Sequence, residues 1–299
     1  MLRGVIYLII SAFSFALATV FVKLVTADTD IPAIELSFFR FLFGFIITLF
    51  YIIYKKKSLK TVKSRHVYMR AIFNTIAVIL FFIGVEHSSI GKANLLNMTY
   101  PVFVFLIAPF INKEKTSGEY FLYLIATGAG IYLTMVPEGS EPGMNLLNRG
   151  DIAALLSGIV AGFAITTLRE ARKFNDSYVI VFYLMLIGTL INGIMVIPVF
   201  IIPHGISILY IFLCALFSYI GQYYITEGYK HIDATPGALI SSTRIVFAVL
   251  LGYFVFLEDV NMRIISGSIL IMISITGISG FFSYAKARIN NNGRKKRPL

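Results

Sequence analysis

Long apolar runs recur along the whole chain, and they limit its fold more than any other feature. A helix that crosses the hydrocarbon core of a bilayer needs about 20 mostly apolar residues. Ten segments meet this requirement: 4–25, 33–54, 67–86, 91–111, 119–136, 151–169, 178–202, 206–228, 234–256 and 262–283. Short breaks rich in turn-forming residues, such as ADTDIP and LEDVNM, join them. The sequence therefore predicts an all-α integral membrane protein with ten transmembrane helices.

Composition excludes a soluble domain as the alternative. Of the 299 residues, 58% are hydrophobic and 14% are charged, whereas soluble proteins carry about a quarter charged residues. The first apolar run includes a small-x-small triplet at 16–18 that could mark a cleaved signal peptide. However, the run continues to Val22 and exceeds the apolar core of about 7 to 15 residues that signal peptides have. We therefore expect it to be retained as the first span.

The 26 lysines and arginines are distributed unevenly between the two ends of the predicted helices. With the N-terminus in the cytoplasm, 20 of them fall on the cytoplasmic side and three on the outer side, while Lys23, Arg40 and Arg244 lie within spans. Because positively charged loops stay in the cytoplasm, both termini are expected there, in a multi-pass protein of the cell membrane. The net charge of +11 then reflects topology, and the basic tail 286–299 is expected to contact anionic lipid rather than nucleic acid.

The two halves of the sequence repeat each other at a distance of 144 residues. Under this shift, TYPVFVFLIAPFINKE (99–114) aligns with TRIVFAVLLGYFVFLE (243–258). Matches outside these segments include Gly44/Gly188, Gly84/Gly228 and His87/His231. The sequence therefore predicts two five-helix units, at 1–140 and 150–285. Because five is an odd number, the second unit starts on the opposite face of the membrane, and the two units are inverted, as in many secondary transporters.

Three motifs carry a resemblance to a known family. They are FFRF at 38–41, the pattern A-x-L-L-x-x-x-x-P-V-F at 93–103, and its second copy at 238–258. With these motifs, residues 1–285 resemble the EamA-type branch of the drug/metabolite transporter superfamily. The resemblance implies metabolite transport by alternating access, with the third, fourth, eighth and ninth helices around a central cavity. The second copy has Ile245 where the first has Pro101, so we expect the fourth and ninth helices to bend differently.

Polar side chains within the predicted spans are the candidates for a substrate site. Lipid cannot satisfy their hydrogen bonds, so they normally face the interior of the bundle or a wet cavity. The candidate substrate-binding residues are Arg244, Tyr100, Asn97, Gln222, Asn74, Arg40 and Ser241, and Asn94 lies on the same helix face as Asn97. For the uncharged residues the alternative is a hydrogen bond between helices. For Arg40 it is extension of the side chain to the membrane interface.

The acidic residues are absent from the middle of the predicted spans. Arginines at membrane depth without acidic partners favour a cargo that brings its own carboxylate or phosphate. The repeat also aligns Arg244 with Tyr100, so we expect both to face the centre of the bundle. The sequence therefore predicts transport of a small anionic or zwitterionic, amino-acid-like metabolite that binds at Arg244.

Two other functions are compatible with this scaffold. A lipid-carrier flippase or membrane assembly factor would need a site open to lipid, with basic groups near headgroup depth. Arg40 and Lys23 could provide these groups, so this function stays an alternative. A membrane enzyme would need a nucleophile, a metal cluster or a carboxylate pair. The four histidines lie in loops or at span ends without the spacing of metal ligands. We therefore expect no catalysis, no metal and no cofactor, and we predict no oligomeric state.

Overall fold

The described elements are all helical. The computed structural model describes residues 2–87, 96–114, 118–135, 149–257 and 262–278. The helices are α1 (Leu2–Asp28), α2 (Ala33–Tyr54), α3 (Ser64–His87), α4 (Tyr100–Ile111), α5 (Gly118–Met135), α6 (Arg149–Arg172), α7 (Ser177–Val196), α8 (Ile206–Gly228), α9 (Ala234–Ser241), α10 (Thr243–Phe256) and α11 (Met262–Ile278). A short 3₁₀ turn at Ile197–Val199 follows α7. Asn94, the end of the second repeat motif at Glu258, and the tail 286–299 lie outside the described residues.

Seven of the helical segments are long and apolar enough to cross a membrane. They are Leu2–Thr26, Ala33–Tyr54, Ser64–Gly84, Arg149–Arg172, Ser177–Val199, Ile206–Gly228 and Ala234–Phe256. Two shorter apolar helices, Tyr100–Ile111 and Met262–Ser274, lie within other predicted spans. The prediction of an all-α protein with many spans is confirmed, whereas the count of ten spans stays a prediction.

The contacts between the two halves of the chain are symmetric. α3 packs against α6 as α8 packs against α1, and α4 contacts α6 as α9 and α10 contact α1. α2 crosses α7, and α5 packs on α11. α9 and α10 together form one segment, so each half has five. If α1 to α5 exchange places in order with α6, α7, α8, α9–α10 and α11, each of these contacts becomes a contact of the same set.

The crossing of α2 and α7 shows this relation at the level of single residues. A Cβ atom on Gly44 would lie 2.6 Å from Sδ of Met185, and one on Gly188 would overlap the ring of Phe41. Phe41 and Met185 stand 144 positions apart, as do the two glycines. Each helix therefore places a large side chain on the glycine of the other, at the register that the sequence repeat predicts.

Both the fourth and the ninth predicted helices are interrupted. The chain turns at Thr99 before α4 (φ −73°, ψ −9°) and at Ser242 between α9 and α10 (φ −66°, ψ −12°). The N–H of Thr99 donates to the carbonyl oxygen of Leu96 at 3.2 Å, and that of Ser242 to Leu239 at 3.1 Å. The ninth helix therefore breaks without the proline, and the expectation that the two helices bend differently stays a prediction.

Hydroxyl side chains are common to the two breaks. Oγ1 of Thr99 donates to the carbonyl oxygen of Leu96 at 2.6 Å, and Oγ1 of Thr243 to that of Ile240 at 2.8 Å. Such local bonds compete with the helical hydrogen bonds and bend helices. The matching backbone turns stand 143 residues apart, one fewer than the sequence repeat. Tyr100 and Arg244 are therefore at different distances from their breaks.

Candidate functional site

Arg244 is the second residue of α10 and lies directly after the break in the ninth helix. Its side chain is partly buried, and it interacts electrostatically with Tyr100. Its hydrogen-bonding contact is a long one, 4.0 Å from Nη2 to Sδ of Met98. Within the described residues, none of the ion pairs includes Arg244.

Two further arginines belong to the same charged region. Arg40 in α2 is an electrostatic neighbour of both Arg244 and Arg70, and its guanidinium carbon lies 5.2 Å from the centre of the Phe41 ring. Arg70 in α3 is 2% exposed, and its Nε has no hydrogen-bond partner in the described chain. Three cations therefore lie inside the bundle, and the described residues provide no carboxylate in an ion pair with any of them.

Arg70 is the residue that sequence reasoning missed. The charge count includes it among the 20 cytoplasmic lysines and arginines, although the predicted span 67–86 contains it, and α3 begins earlier still, at Ser64. With a rise of about 1.5 Å per residue, Arg70 lies roughly 9 Å inside the helix. The spacing of Arg70 and Asn74, four residues apart, could have found it, since this spacing places both on one face of a helix.

Two buried tyrosines lie close to these arginines. Tyr100 is 9% exposed, and its hydroxyl donates to the carbonyl oxygen of Ala238 at 3.2 Å. Tyr229, directly after α8, is fully buried and is an electrostatic neighbour of Arg70. Its hydroxyl makes no hydrogen bond of normal geometry among the described residues, and Ser241 is the side chain close enough to interact with it. Ser241 lies close to both tyrosine hydroxyls, so the predicted site residues Tyr100 and Ser241 share one region.

Two amide side chains add hydrogen-bond donors. Nε2 of Gln222 and Nδ2 of Asn74 are buried and have no partner within the described chain. Gln222 and Tyr229 stand seven residues apart, about two helical turns, which aligns them along α8. Together with Nε of Arg70, these atoms can all donate a hydrogen bond. A region of cations and unpaired donors matches a ligand that is rich in acceptors and negatively charged.

The amide nitrogen of Asn97 forms a hydrogen bond to α6. Its Nδ2 donates to Oγ of Ser157 at 2.8 Å, and that hydroxyl donates to the carbonyl oxygen of Ala154. A Cβ atom on Gly158 would lie 2.8 Å from Oγ1 of Thr99, so α6 approaches the break closely. These contacts give Asn97 a packing role, and its role as a substrate ligand stays a prediction.

α3 and α8 each pack closely on other helices. α3 packs on α6 and α7, and α8 packs on α1 and α2, whereas α3 and α8 are not among the helix pairs in close backbone contact in the described part of the chain. α4 contacts α9. Arg70 from α3 and Tyr229 after α8 are electrostatic neighbours.

A cluster of ion pairs lies at one end of the bundle. Arg169, near the end of α6, binds Oε1 of Glu114 through Nε at 3.1 Å and Oδ1 of Asp233 through Nη2 at 2.6 Å. Its Nη1 donates to the carbonyl oxygen of Tyr229 at 2.9 Å. Oε2 of Glu114 accepts the N–H of Ala234 at 2.8 Å. The cluster therefore ties together the end of α6, the chain after α4 and the beginning of α9.

The carboxyl group of Glu114 is perturbed by this environment. Burial raises its pKa above the ordinary value, and the neighbouring Asp233 adds to the increase. The N–H of Ala234 and the guanidinium of Arg169 oppose it. Glu114 therefore takes up a proton at a higher pH than a solvated carboxyl group does.

A second arginine of α6 completes this end of the bundle. The side chain of Arg172 is 3% exposed, and its Nη2 lies 3.2 Å from Oε2 of Glu227. Its Nε donates to the carbonyl oxygen of Thr226 at 3.0 Å, and its Nη1 donates to that of Asn175. Arg172, like Arg169, thus finds acceptors within the protein.

An apolar groove lies between the fourth-helix break and α5. Its lining residues are Leu96, Met98, Thr99, Pro101, Val102, Leu124, Thr127, Gly128, Ile131 and Tyr132. None of them is charged. The groove meets the arginine region at Met98, which contacts Arg244.

Comparison with known proteins assigns the family. The EamA-like transporter family model matches residues 2–136 and 148–280. Solute carrier family 35 member G1 of Homo sapiens is 25% identical over 288 residues, which cover 92% of this chain and 78% of that protein. Pseudopaline exporter CntI of Pseudomonas aeruginosa is 25% identical over 281 residues, 92% of this chain and 95% of its own length.

A solved crystal structure shares the fold. It matches with a TM-score of 0.79 at 14% sequence identity, and the match covers 94% of this chain and 98% of that chain. The two matches to the family model leave little of the sequence uncovered. The chain is therefore a multi-pass membrane transport protein, and it belongs to the EamA-like transporter family.

Proposed function

We propose that this protein carries a small anionic or zwitterionic metabolite, amino-acid-like in size, across the cell membrane by alternating access. The observation that carries the proposal is the group of three arginines, Arg40, Arg70 and Arg244, inside the bundle. In the described residues, none of them has a carboxylate in an ion pair. A charged side chain at the centre of a bilayer costs roughly 2.5 to 3.5 kcal/mol on insertion scales. A negatively charged cargo offsets this cost while it is bound.

The negative group of the cargo binds Arg244, next to Tyr100 and Ser241. Arg40 lies beside Arg244 and strengthens the positive potential there. Gln222 and Asn74 have buried amide donors without a partner in the described chain, and they orient the remaining acceptors of the cargo. This arrangement supports a site between the broken fourth and ninth helices, where the chain turns and frees backbone groups.

Alternating access is supported by the packing of the two halves. The contacts that survive an exchange of the halves suit two inverted units, at 1–140 and 150–285. In this topology both termini, including the tail 286–299, are cytoplasmic, and the cluster around Arg169 lies at the cytoplasmic end. The cluster holds α4, α6 and α9 together there and closes this end, so transport requires its ion pairs to separate.

The lipid-carrier alternative is less well supported. A flippase site must open sideways to lipid and offer basic groups to a headgroup. The apolar groove beside α5 contains no charged side chain, and the arginines with the fewest partners lie between the helices. The charge pattern therefore favours a small soluble cargo.

Reconstituted protein tests the proposal. A panel of amino acids and small carboxylates is first screened for thermal stabilisation, since a bound ligand raises apparent stability by mass action. Uptake of the strongest stabiliser is then measured in liposomes of checked orientation. Arg244→Ala is expected to weaken its affinity by about tenfold or more. Arg244→Lys is expected to lose less, because it keeps the charge but not the planar fork. Unchanged affinity in both variants would contradict the proposal.

A further inference from the structure

Arg70 is a buried cation that a substrate with one carboxylate would leave unused. We infer that Arg70 and the hydroxyl of Tyr229 form a second anion-binding subsite, so that the preferred cargo carries two negative groups, as a dicarboxylate or an acidic amino acid does. This inference rests on the proposed function and deepens it, because it names the chemical class of the cargo at the same site.

Arg172 shows how the chain satisfies a buried arginine when its role is structural. Both side chains are almost fully buried, at 3% exposure for Arg172 and 2% for Arg70 as a whole residue. Arg172 donates to two carbonyl oxygens and pairs with Glu227. Nε of Arg70 has no partner in the described chain. A buried cation without acceptors is costly, so its retention suggests an acceptor supplied by a ligand.

The two subsites have the same composition. Each contains an arginine with a tyrosine as its electrostatic neighbour: Arg244 with Tyr100, and Arg70 with Tyr229. Ser241 lies close to both tyrosine hydroxyls, which places the subsites side by side. The two arginines come from different helices, α10 and α3, so they can hold the two ends of an elongated molecule.

Arg40 connects the subsites electrically. It is a neighbour of both Arg244 and Arg70. Their like charges repel one another at short range, and this repulsion is strong where water is excluded. A cargo with one negative group leaves two of the three arginines without a counter-charge. A cargo with two negative groups leaves one arginine, Arg40, without a counter-charge of its own. Because Arg40 is a neighbour of both other arginines, it attracts both negative groups.

The amide of Asn74 supports the subsite of Arg70. It stands one helical turn further along α3, and its Nδ2 is buried without a partner among the described residues. An amide nitrogen donates two hydrogen bonds. Arg70, Asn74 and Tyr229 together provide donors for the oxygens of one carboxylate.

Matched ligand pairs that differ by one charge test the inference. Purified full-length protein is titrated at constant ionic strength with glutamate against glutamine and with succinate against succinamate, and dissociation constants are taken from thermal stabilisation. In each pair the amide replaces a carboxylate of nearly the same shape. The wild-type protein is expected to bind the doubly charged member about tenfold or more tightly. Arg70→Gln is expected to bring the ratio close to one.

Two variants control for folding and for charge in general. Arg65→Gln removes an exposed arginine of the same helix and is expected to keep the wild-type ratio. Arg70→Lys keeps a cation at the site and is expected to keep part of the preference, so a folding defect of Arg70→Gln would not leave the question undecided.

Three outcomes would overturn the inference: no preference for the doubly charged ligand in the wild-type protein, no binding of either such ligand, or an unchanged preference in Arg70→Gln. The proposed function fails through a different result. It fails if Arg244→Ala and Arg244→Lys transport the cargo with wild-type affinity, whatever the Arg70 variants do.

Discussion

Arginines at one end of the bundle and arginines in its interior have opposite surroundings. Arg169 and Arg172 bind three carboxylates and several backbone carbonyl oxygens. Arg40, Arg70 and Arg244 have none of the ion pairs of the described chain. The side chain is the same in both groups, and only the supply of acceptors differs. The comparison shows that the first group holds helices together, whereas the second has no such partners in the described chain, which supports its proposed role in binding cargo.

The largest expected effect is loss of stability in the first group. Arg172→Gln removes the partners of two carbonyl oxygens and of Glu227 from a buried position. We expect the free energy of unfolding to fall by about 3 kcal/mol, measured by denaturation in detergent. Arg65→Gln, at an exposed position, is the control and should change it by about 0.5 kcal/mol or less. Equal losses in the two variants would show that Arg172 does not stabilise the end of the bundle.

A smaller effect is expected when the ion-pair cluster itself is weakened. Arg169→Gln should open the end of the bundle that the proposal assigns to the cytoplasm and expose the proposed site, where Ser241 is 9% exposed. In a Cys214→Ala background, the labelling rate of Ser241→Cys from that side should rise about tenfold, the factor for roughly 1.4 kcal/mol lost from the network.

Lys173→Gln is the matched control for this opening. Lys173 pairs with Glu170 at 2.6 Å on the same helix end, and it contacts neither Glu114 nor Asp233 in the described bonds. In the Lys173→Gln variant, the labelling rate of Ser241→Cys should stay near the rate measured with Lys173 in place. If both variants open the site equally, the cluster around Arg169 has no special role in closure.

The smallest effect is a pH dependence that acts through Glu114. Because its pKa is raised by burial and then by Asp233, the closed end binds a proton more tightly than an end in which this carboxyl is solvated. Acidification from neutral pH towards 4.5, the ordinary value of this carboxyl, should therefore favour closure, and rising pH should favour opening.

The rate of Ser241→Cys labelling against pH measures this dependence. Glu114→Gln cannot titrate at this position. It should remove the contribution of the Glu114 carboxyl group to the pH dependence of the labelling rate and leave only the contribution of the thiol. If acidification speeds up labelling once the contribution of the thiol is subtracted, Glu114 does not favour closure on protonation, and the prediction is contradicted.

Local signals in the sequence predicted the helices well where turn residues mark their ends. The predicted spans 33–54 and 206–228 agree with α2 and α8, since Pro32 precedes one helix and Gly205, at a positive φ of 59°, precedes the other. The predicted span 67–86 begins three residues later than α3, because the helix starts within a run of charged residues. Arg70 lies inside that predicted span, but the charge count includes it among the cytoplasmic residues.

The break in the ninth helix could not be predicted from a single local signal. Proline was the expected cause of bending, but the turn at Ser242 forms where hydroxyl groups bond to the backbone. The offset of one residue between the two breaks also depends on packing across the bundle. The alignment of Arg244 with Tyr100 therefore indicated two residues that are electrostatic neighbours in the structure, whereas their distances from the breaks required the folded chain.

The central claim is that the interior arginines recognise cargo and do not hold the fold. Its most direct test measures unfolding stability and ligand affinity on the same preparation of Arg244→Gln, with the anion that stabilises the wild-type protein most strongly. The account predicts that the dissociation constant rises by about tenfold or more, while stability without ligand stays the same or increases, because an uncompensated buried charge is removed. A loss of stability as large as that of Arg172→Gln, together with an unchanged dissociation constant, would contradict it.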